Sequence, residues 1–155
     1  MAEDEKLAGM VDITYKPPVF RKATATGSIR LQEATIEAIK SRQVKKGDVL
    51  TTARLAAILA VKDTPRLIPL CHPIPITRLD VNFEFEERRV KVTVTVTSDG
   101  KTGVEMEALT GVAAALLNVW DMVKYLEKDE TGNYPDTEME TIRVMEKRKG
   151  EPIRA

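Results

Sequence analysis

Cys71 and His72 are the only cysteine and the only histidine of the chain, and they stand side by side in Leu70-Cys71-His72-Pro73. A thiol next to an imidazole suggests nucleophilic catalysis. Adjacent side chains of an extended segment point apart, however, so the dipeptide is not read as a Cys–His nucleophile pair. Pro65, Pro69, Pro73 and Pro75 surround it, four of the chain's eight prolines. Proline fixes its own φ and restricts the residue before it, so residues 65–75 are expected to be stiff and extended without forming a central strand. Imidazoles titrate near neutral pH, so a histidine held in such a loop suits a general acid or base, or a phosphate ligand. The plain alternative is a packed thiol and a solvated ring.

Other groups form smaller constellations. Glu105-Met106-Glu107 brings two carboxylates into the expected first turn of a long helix, where the helix dipole favours acidic groups by about 0.3–1 kcal/mol and no ligand is needed to explain them. Asp121 and Lys124 have ion-pair spacing near the end of the same helix. Their neighbours Val119, Trp120, Met122 and Val123 are apolar, and an ion pair in an apolar setting is a candidate for catalysis. Lys45-Lys46-Gly47-Asp48 puts ammonium groups on a turn, facing either water or a polyphosphate. Lys147-Arg148-Lys149 is a second basic cluster, ordinarily a solvated tail. Gly100-Lys101-Thr102 matches the end of a phosphate-binding loop, but Thr95 stands where that motif needs its first glycine. A turn and a helix start remain, and a helix N-terminus still attracts anions.

The elements that must position these groups follow from periodicity. The 155 residues amount to one domain, with residues 1–10 a loose charged lead-in and 11–155 a single α+β domain. A strand is expected to begin near Val11 and another to run from Val19 to Leu31, where Ala23, Ala25, Gly27, Ile29 and Leu31 alternate with polar residues. Gln32–Gln43 reads as a short helix, and Asp48 caps a second one that reaches Lys62. Leu79, Val81, Phe83 and Phe85 alternate in one strand. Val90, Val92, Val94 and Val96 alternate in the next, and Glu86-Glu87-Arg88-Arg89 joins them as a hairpin. Ser98–Thr102 is expected to turn. A helix follows from Gly103 to Lys128, with Thr102 and Glu105 as a capping box, and a short last strand carries Ile142 and Val144. The order β-α-α-β-β-α-β suits a ferredoxin-like sandwich, an antiparallel sheet covered on one face by helices. The valine-rich strand face is expected to lie opposite the helices and to seek a partner.

Composition narrows the function. Lys plus Arg is 24 and Asp plus Glu is 24, so binding to nucleic acid through bulk charge is disfavoured. A lone cysteine excludes an internal disulfide and suits a reducing compartment, the cytoplasm. Two adjacent potential ligands do not make a zinc site. No run of about 18 apolar residues is evident, so no membrane span is expected. The acidic N-terminus is not a signal peptide.

Taken together, four blocks resemble one family. Lys46-Gly-Asp48-Val, Leu67-Ile-Pro-Leu-Cys71-His72-Pro73, Lys101-Thr-Gly-Val-Glu105-Met106-Glu107-Ala-Leu-Thr110 and Asp121-Met-Val-Lys124 are similar to the signatures of the molybdenum cofactor biosynthesis protein C family, the cyclic pyranopterin monophosphate synthases. Met10-Val11-Asp12 and Arg21 resemble its opening strand, so the likeness runs from about residue 10 to 129. The resemblance implies conversion of 3′,8-cyclo-7,8-dihydroguanosine 5′-triphosphate to cyclic pyranopterin monophosphate and pyrophosphate, with no cofactor and no metal. It implies acid/base work by Lys46, Asp121 and Lys124. It also implies a pocket lined by Arg21, Cys71, His72, Glu105, Met106, Glu107 and Lys147. The family's C-terminal glycine-rich lysine stretch is replaced here by Arg148-Lys149-Gly150-Glu151-Pro152, with Lys149 a loose match, and residues 130–141 look inserted. The alternative is a regulatory module that holds a nucleotide or phosphate without turning it over.

Helix geometry adds a constraint. Glu105 and Asp121 are 16 residues apart on one helix, about 24 Å at 1.5 Å per residue, and their side chains diverge by roughly 160°. One small substrate cannot span both, so the site is expected at a subunit interface. Cys71, His72 and the Glu105–Glu107 turn would come from one chain, and Arg21, Lys46, Asp121 and Lys124 from another. The resemblance implies a homohexamer, a trimer of dimers.

Overall fold

The computed structural model describes residues 8–152, so most of the expected lead-in lies outside it. The described elements are β1 (Val19–Arg30), α1 (Glu33–Lys40), α2 (Val49–Lys62), α3 (Thr64–Leu67), β2 (Ile76–Glu86), β3 (Arg89–Gly100), α4 (Glu105–Glu127) and β4 (Glu138–Pro152). The strands form one antiparallel sheet in the order β2-β3-β1-β4. The α+β expectation stands, including the alternation of elements. The one addition is α3, a single turn started by Pro65 at the edge of the proline-rich segment.

Alternation leaves one apolar face on each of β1 and β3, and the helices cover that face. Ala23, Ala25 and Ile29 of β1 and Val90, Val92, Val94 and Val96 of β3 are fully buried beneath α2 and α4. The valine face is therefore the helix side of the sheet, contrary to expectation; the free face carries the alternate residues, Thr93, Thr95 and Thr97 among them. The reason is burial free energy, at about 1.5–3 kcal/mol per valine-sized side chain. α4 approaches the sheet closely at Gly111, where a Cβ would come within 2.8 Å of Val61 and 3.2 Å of Val94.

Several local expectations change. Residues 8–18 form turns and no strand; the Asp12 side chain accepts from the Thr14 amide at 2.9 Å and closes one of them. β3 runs on to Gly100, through part of the expected turn. α4 starts at Glu105 behind Val104, with no side-chain cap, so Thr102 does not cap it. Glu105 and Glu107 place two carboxylates in that first turn, near its unpaired N–H groups. The Asp48 cap on α2 is present, at 3.0 Å from the Thr51 amide. β4 is far longer than expected, and its register on β1 shifts three times. α4 is long and apolar enough to cross a membrane by length and composition alone, but half of its most apolar window is buried in this domain. It is the core helix.

Candidate active site

The two ends of α4 carry two separate clusters. At the N-terminal end, β1 supplies Arg21, the proline-rich loop Cys71 and His72, the first helical turn Glu105, Met106 and Glu107, and β4 Lys147. Period two explains the last. Lys147 pairs with Ala23 and Lys149 with Arg21, so both lie on the helix side of the sheet, and Arg148, opposite Lys22, lies on the other. The Lys147 ammonium is 2.6 Å from Glu105 Oε1.

Burial sets the chemistry here. Glu107 is only 2% exposed and Arg21 5%. Burial pushes the Glu107 carboxyl above its ordinary pKa, with the charge of Glu105 adding to the effect. Burial also opposes ionisation of Glu105, but Lys147, its own amide and Arg21 together hold that carboxyl below its ordinary value. The Cys71 thiol faces Glu107 Oε1 at 3.7 Å. Its pKa is pushed up to about 11, first by burial and then by the Glu107 carboxylate. Such a thiol stays protonated at neutral pH and serves as a donor rather than a nucleophile. Arg21 reaches the Lys101 carbonyl through one terminal nitrogen at 3.4 Å. Arg21 Nε and Glu107 Oε2 have no partner, and they are the only buried side-chain polar atoms so placed among the described residues.

The second cluster joins α4 to the turn before α2. Lys46 Nζ lies 2.9 Å from Asp121 Oδ2, and Lys124 Nζ lies 3.1 Å from Oδ1. Both lysines donate to the carboxylate and hold it below its ordinary pKa. Gly47, at φ 112, makes the tight turn that presents Lys46. The apolar setting expected for this pair is absent within one chain, because Asp121 is 56% exposed. Beside it Leu117, Trp120, Tyr134 and Met139 line an open concavity, with the two aromatic rings edge to face at 5.3 Å.

The structure brings every expected site residue into one of these clusters, with one regrouping. Arg21, expected with Lys46, Asp121 and Lys124, instead lies at the Glu105 end, because the β1 register carries it there. A groove of about 910 Å³ between α1 and the β2–β3 hairpin holds none of these residues. Sequence reasoning singled out Lys101 but missed the contact of its carbonyl with Arg21. It also missed the backbone of Val11, whose carbonyl oxygen lies 2.7 Å from His72 Nε2. Main-chain contacts leave no trace in residue type.

The profile of the MoaC family matches residues 10–150. The chain belongs to the MoaC family. Among its relatives are proteins named "probable cyclic pyranopterin monophosphate synthase" from Thermococcus kodakarensis, 59% identical over 96% of this chain and 95% of that one, and from Archaeoglobus fulgidus, 58% identical over 96% and 94%. A Methanothermobacter thermautotrophicus relative, 56% identical over 94% and 92%, is named "probable cyclic pyranopterin monophosphate synthase accessory protein". The match to the MoaC profile runs into β4 as far as Gly150, so Lys147 and Lys149 fall inside the family region.

Proposed function

We propose that this MoaC-family protein is a cyclic pyranopterin monophosphate synthase of molybdenum cofactor biosynthesis, a lyase that rebuilds 3′,8-cyclo-7,8-dihydroguanosine 5′-triphosphate into cyclic pyranopterin monophosphate and releases pyrophosphate. The observation that carries this reading is the pair of unpartnered buried atoms, Arg21 Nε and Glu107 Oε2. A buried polar atom without a partner costs about 1–3 kcal/mol. A polar ligand that supplies an acceptor to one and a donor to the other removes that cost.

In this reading the Glu105 end binds. Arg21, His72 and Lys147 meet the phosphates, while Cys71, Met106 and Glu107 hold the base. A triphosphate calls for several cations, and guanidinium and ammonium groups supply charge-assisted hydrogen bonds. The Asp121 end moves protons. Asp121 is an ionised acceptor between two ammonium groups, so a proton taken by the carboxylate or given by Lys46 or Lys124 is exchanged within one hydrogen-bonded triad. Each well-placed acid or base contributes typically 10²–10⁴-fold. About 24 Å of helix separates the ends, so the Asp121 end of one protomer completes the Glu105 end of another. A homohexamer built from dimers meets that need, and a lone thiol suits the cytoplasm.

The test is turnover of the cyclised triphosphate by purified protein, following pterin and pyrophosphate. Lys46→Ala and Asp121→Asn should abolish turnover in oligomers that still bind the nucleotide. A folded wild type that binds the nucleotide without forming product would overturn the synthase reading. That outcome would favour a nucleotide-holding accessory role, which the name of the Methanothermobacter relative specifically raises.

A further inference from the structure

The segment ahead of β1 lies across the Cys71–His72 loop and is fastened at two points. His72 Nε2 lies 2.7 Å from the Val11 carbonyl oxygen, and Lys101 Nζ donates to the Thr14 carbonyl at 3.2 Å. Between them the chain is shaped by its own turns. The Asp12 carboxylate accepts from the Thr14 amide at 2.9 Å and from the Thr14 hydroxyl at 2.6 Å, and the Lys16 amide donates to the Ile13 carbonyl at 3.0 Å. Beneath it Ile13, Pro18, His72, Pro75 and Lys101 help line a cavity of about 270 Å³. The side chains of Val11 and Tyr15 are 71% and 80% exposed. The segment therefore acts on the loop through its carbonyl groups.

A carbonyl oxygen carries no proton, so the hydrogen between it and His72 belongs to Nε2. In a neutral imidazole the other nitrogen, Nδ1, then keeps the lone pair. We propose that residues 11–14 are a positioning strap for His72, in which the Val11 carbonyl holds the ring in its Nε2–H form and leaves Nδ1 as the nitrogen that faces the substrate. Asp12, Thr14 and Lys101 act through that carbonyl by fixing where it sits. The role of Nδ1 toward substrate rests on the synthase reading; the tautomer does not.

His72 is the only imidazole in the chain, so its two ring nitrogens can be read without assignment in a long-range ¹H–¹⁵N spectrum of the full-length protein, at a pH where the ring is neutral. Wild type should show a pyrrole-type Nε2 and a pyridine-type Nδ1. Asp12→Ala combined with Thr14→Val should move both shifts toward the averaged values of free imidazole, with the fold intact by circular dichroism. It should lower kcat by roughly ten- to a hundredfold, the range expected when a reacting group is misplaced by about an ångström. Thr14→Ser, which keeps the hydroxyl, should restore shifts and rate. A dominant Nδ1–H form in wild type, or shifts that the double variant leaves unchanged, would overturn the proposal. If wild type makes no product, the ¹⁵N shifts still decide the strap, and only the synthase reading falls.

Discussion

Glu127 shows how strongly a single buried carboxyl group can be committed to structure. It is fully buried at the end of α4. It accepts from the Gln32 amide at 3.1 Å, from the Thr137 hydroxyl at 2.8 Å and from the Thr35 hydroxyl. These donors come from the start of α1 and from the approach to β4, so one side chain ties both segments to α4. Glu127→Ala should cost about 3 kcal/mol, because three donors are left buried without an acceptor; urea denaturation measures it. Glu107 is committed the other way. Its raised pKa means that the folded protein holds that proton more tightly than the unfolded chain, whose ordinary value is 4.5. Its contribution to stability is therefore greatest in acid and is lost as pH rises through the folded value. Glu105 has the opposite sign: its contribution is present above the ordinary value and lost as pH falls through its lowered one. Glu107→Gln should raise the Tm near neutral pH and lessen its decline with rising pH, while lowering turnover. It also removes a charge that lifts the Cys71 pKa. Alkylation of Cys71 at mildly alkaline pH should therefore be faster in the variant than in wild type, and an unchanged rate would deny the Glu107–thiol contact.

At the scale of elements, α4 is both the core helix and the spacer between the two clusters. Its closest approach to the sheet is at Gly111, where an added methyl group would meet Val61 and Val94. Helix propensity favours alanine over glycine by about 1 kcal/mol, whereas overpacking a tight core costs typically 1–3 kcal/mol. With contact distances of 2.8 and 3.2 Å the second effect wins. Gly111→Ala should lower stability by about 1–2 kcal/mol, measured by the denaturation midpoint. A more stable variant would mean that α4 can lift from the sheet without loss.

At the scale of the whole molecule, the proposed site is shared between protomers, one cluster from each. Lys46→Ala disables one cluster and Glu107→Gln the other. If each site takes one cluster from each protomer, subunits of the two variants that are mixed, dissociated and reassembled should recover roughly a quarter of wild-type sites by random pairing across a two-fold interface. No recovery from mixed oligomers would confine the site to one chain.

Much of this arrangement was legible in the sequence, where period two marked the inward face of β1 and the apolar face of β3, the Asp48 cap marked the start of α2, and four blocks pointed to the family. These are local signals, because alternation, capping and spacing depend on neighbours within a few residues. Helix rise alone separated Glu105 from Asp121, so the need for two clusters was also visible. Tertiary structure decided the rest. The meeting of Lys46 with Asp121 joins residues 75 apart, and the β1–β4 register brings Lys147 to Glu105 and regroups Arg21. Which face of β3 the helices cover depends on the packing of α2 and α4, and alternation is silent on that choice. The burial of Glu107, the protonated thiol it faces and the carbonyl that holds His72 arise from contacts across the fold. Desolvation and main-chain hydrogen bonding are properties of a packed environment, which no local pattern encodes.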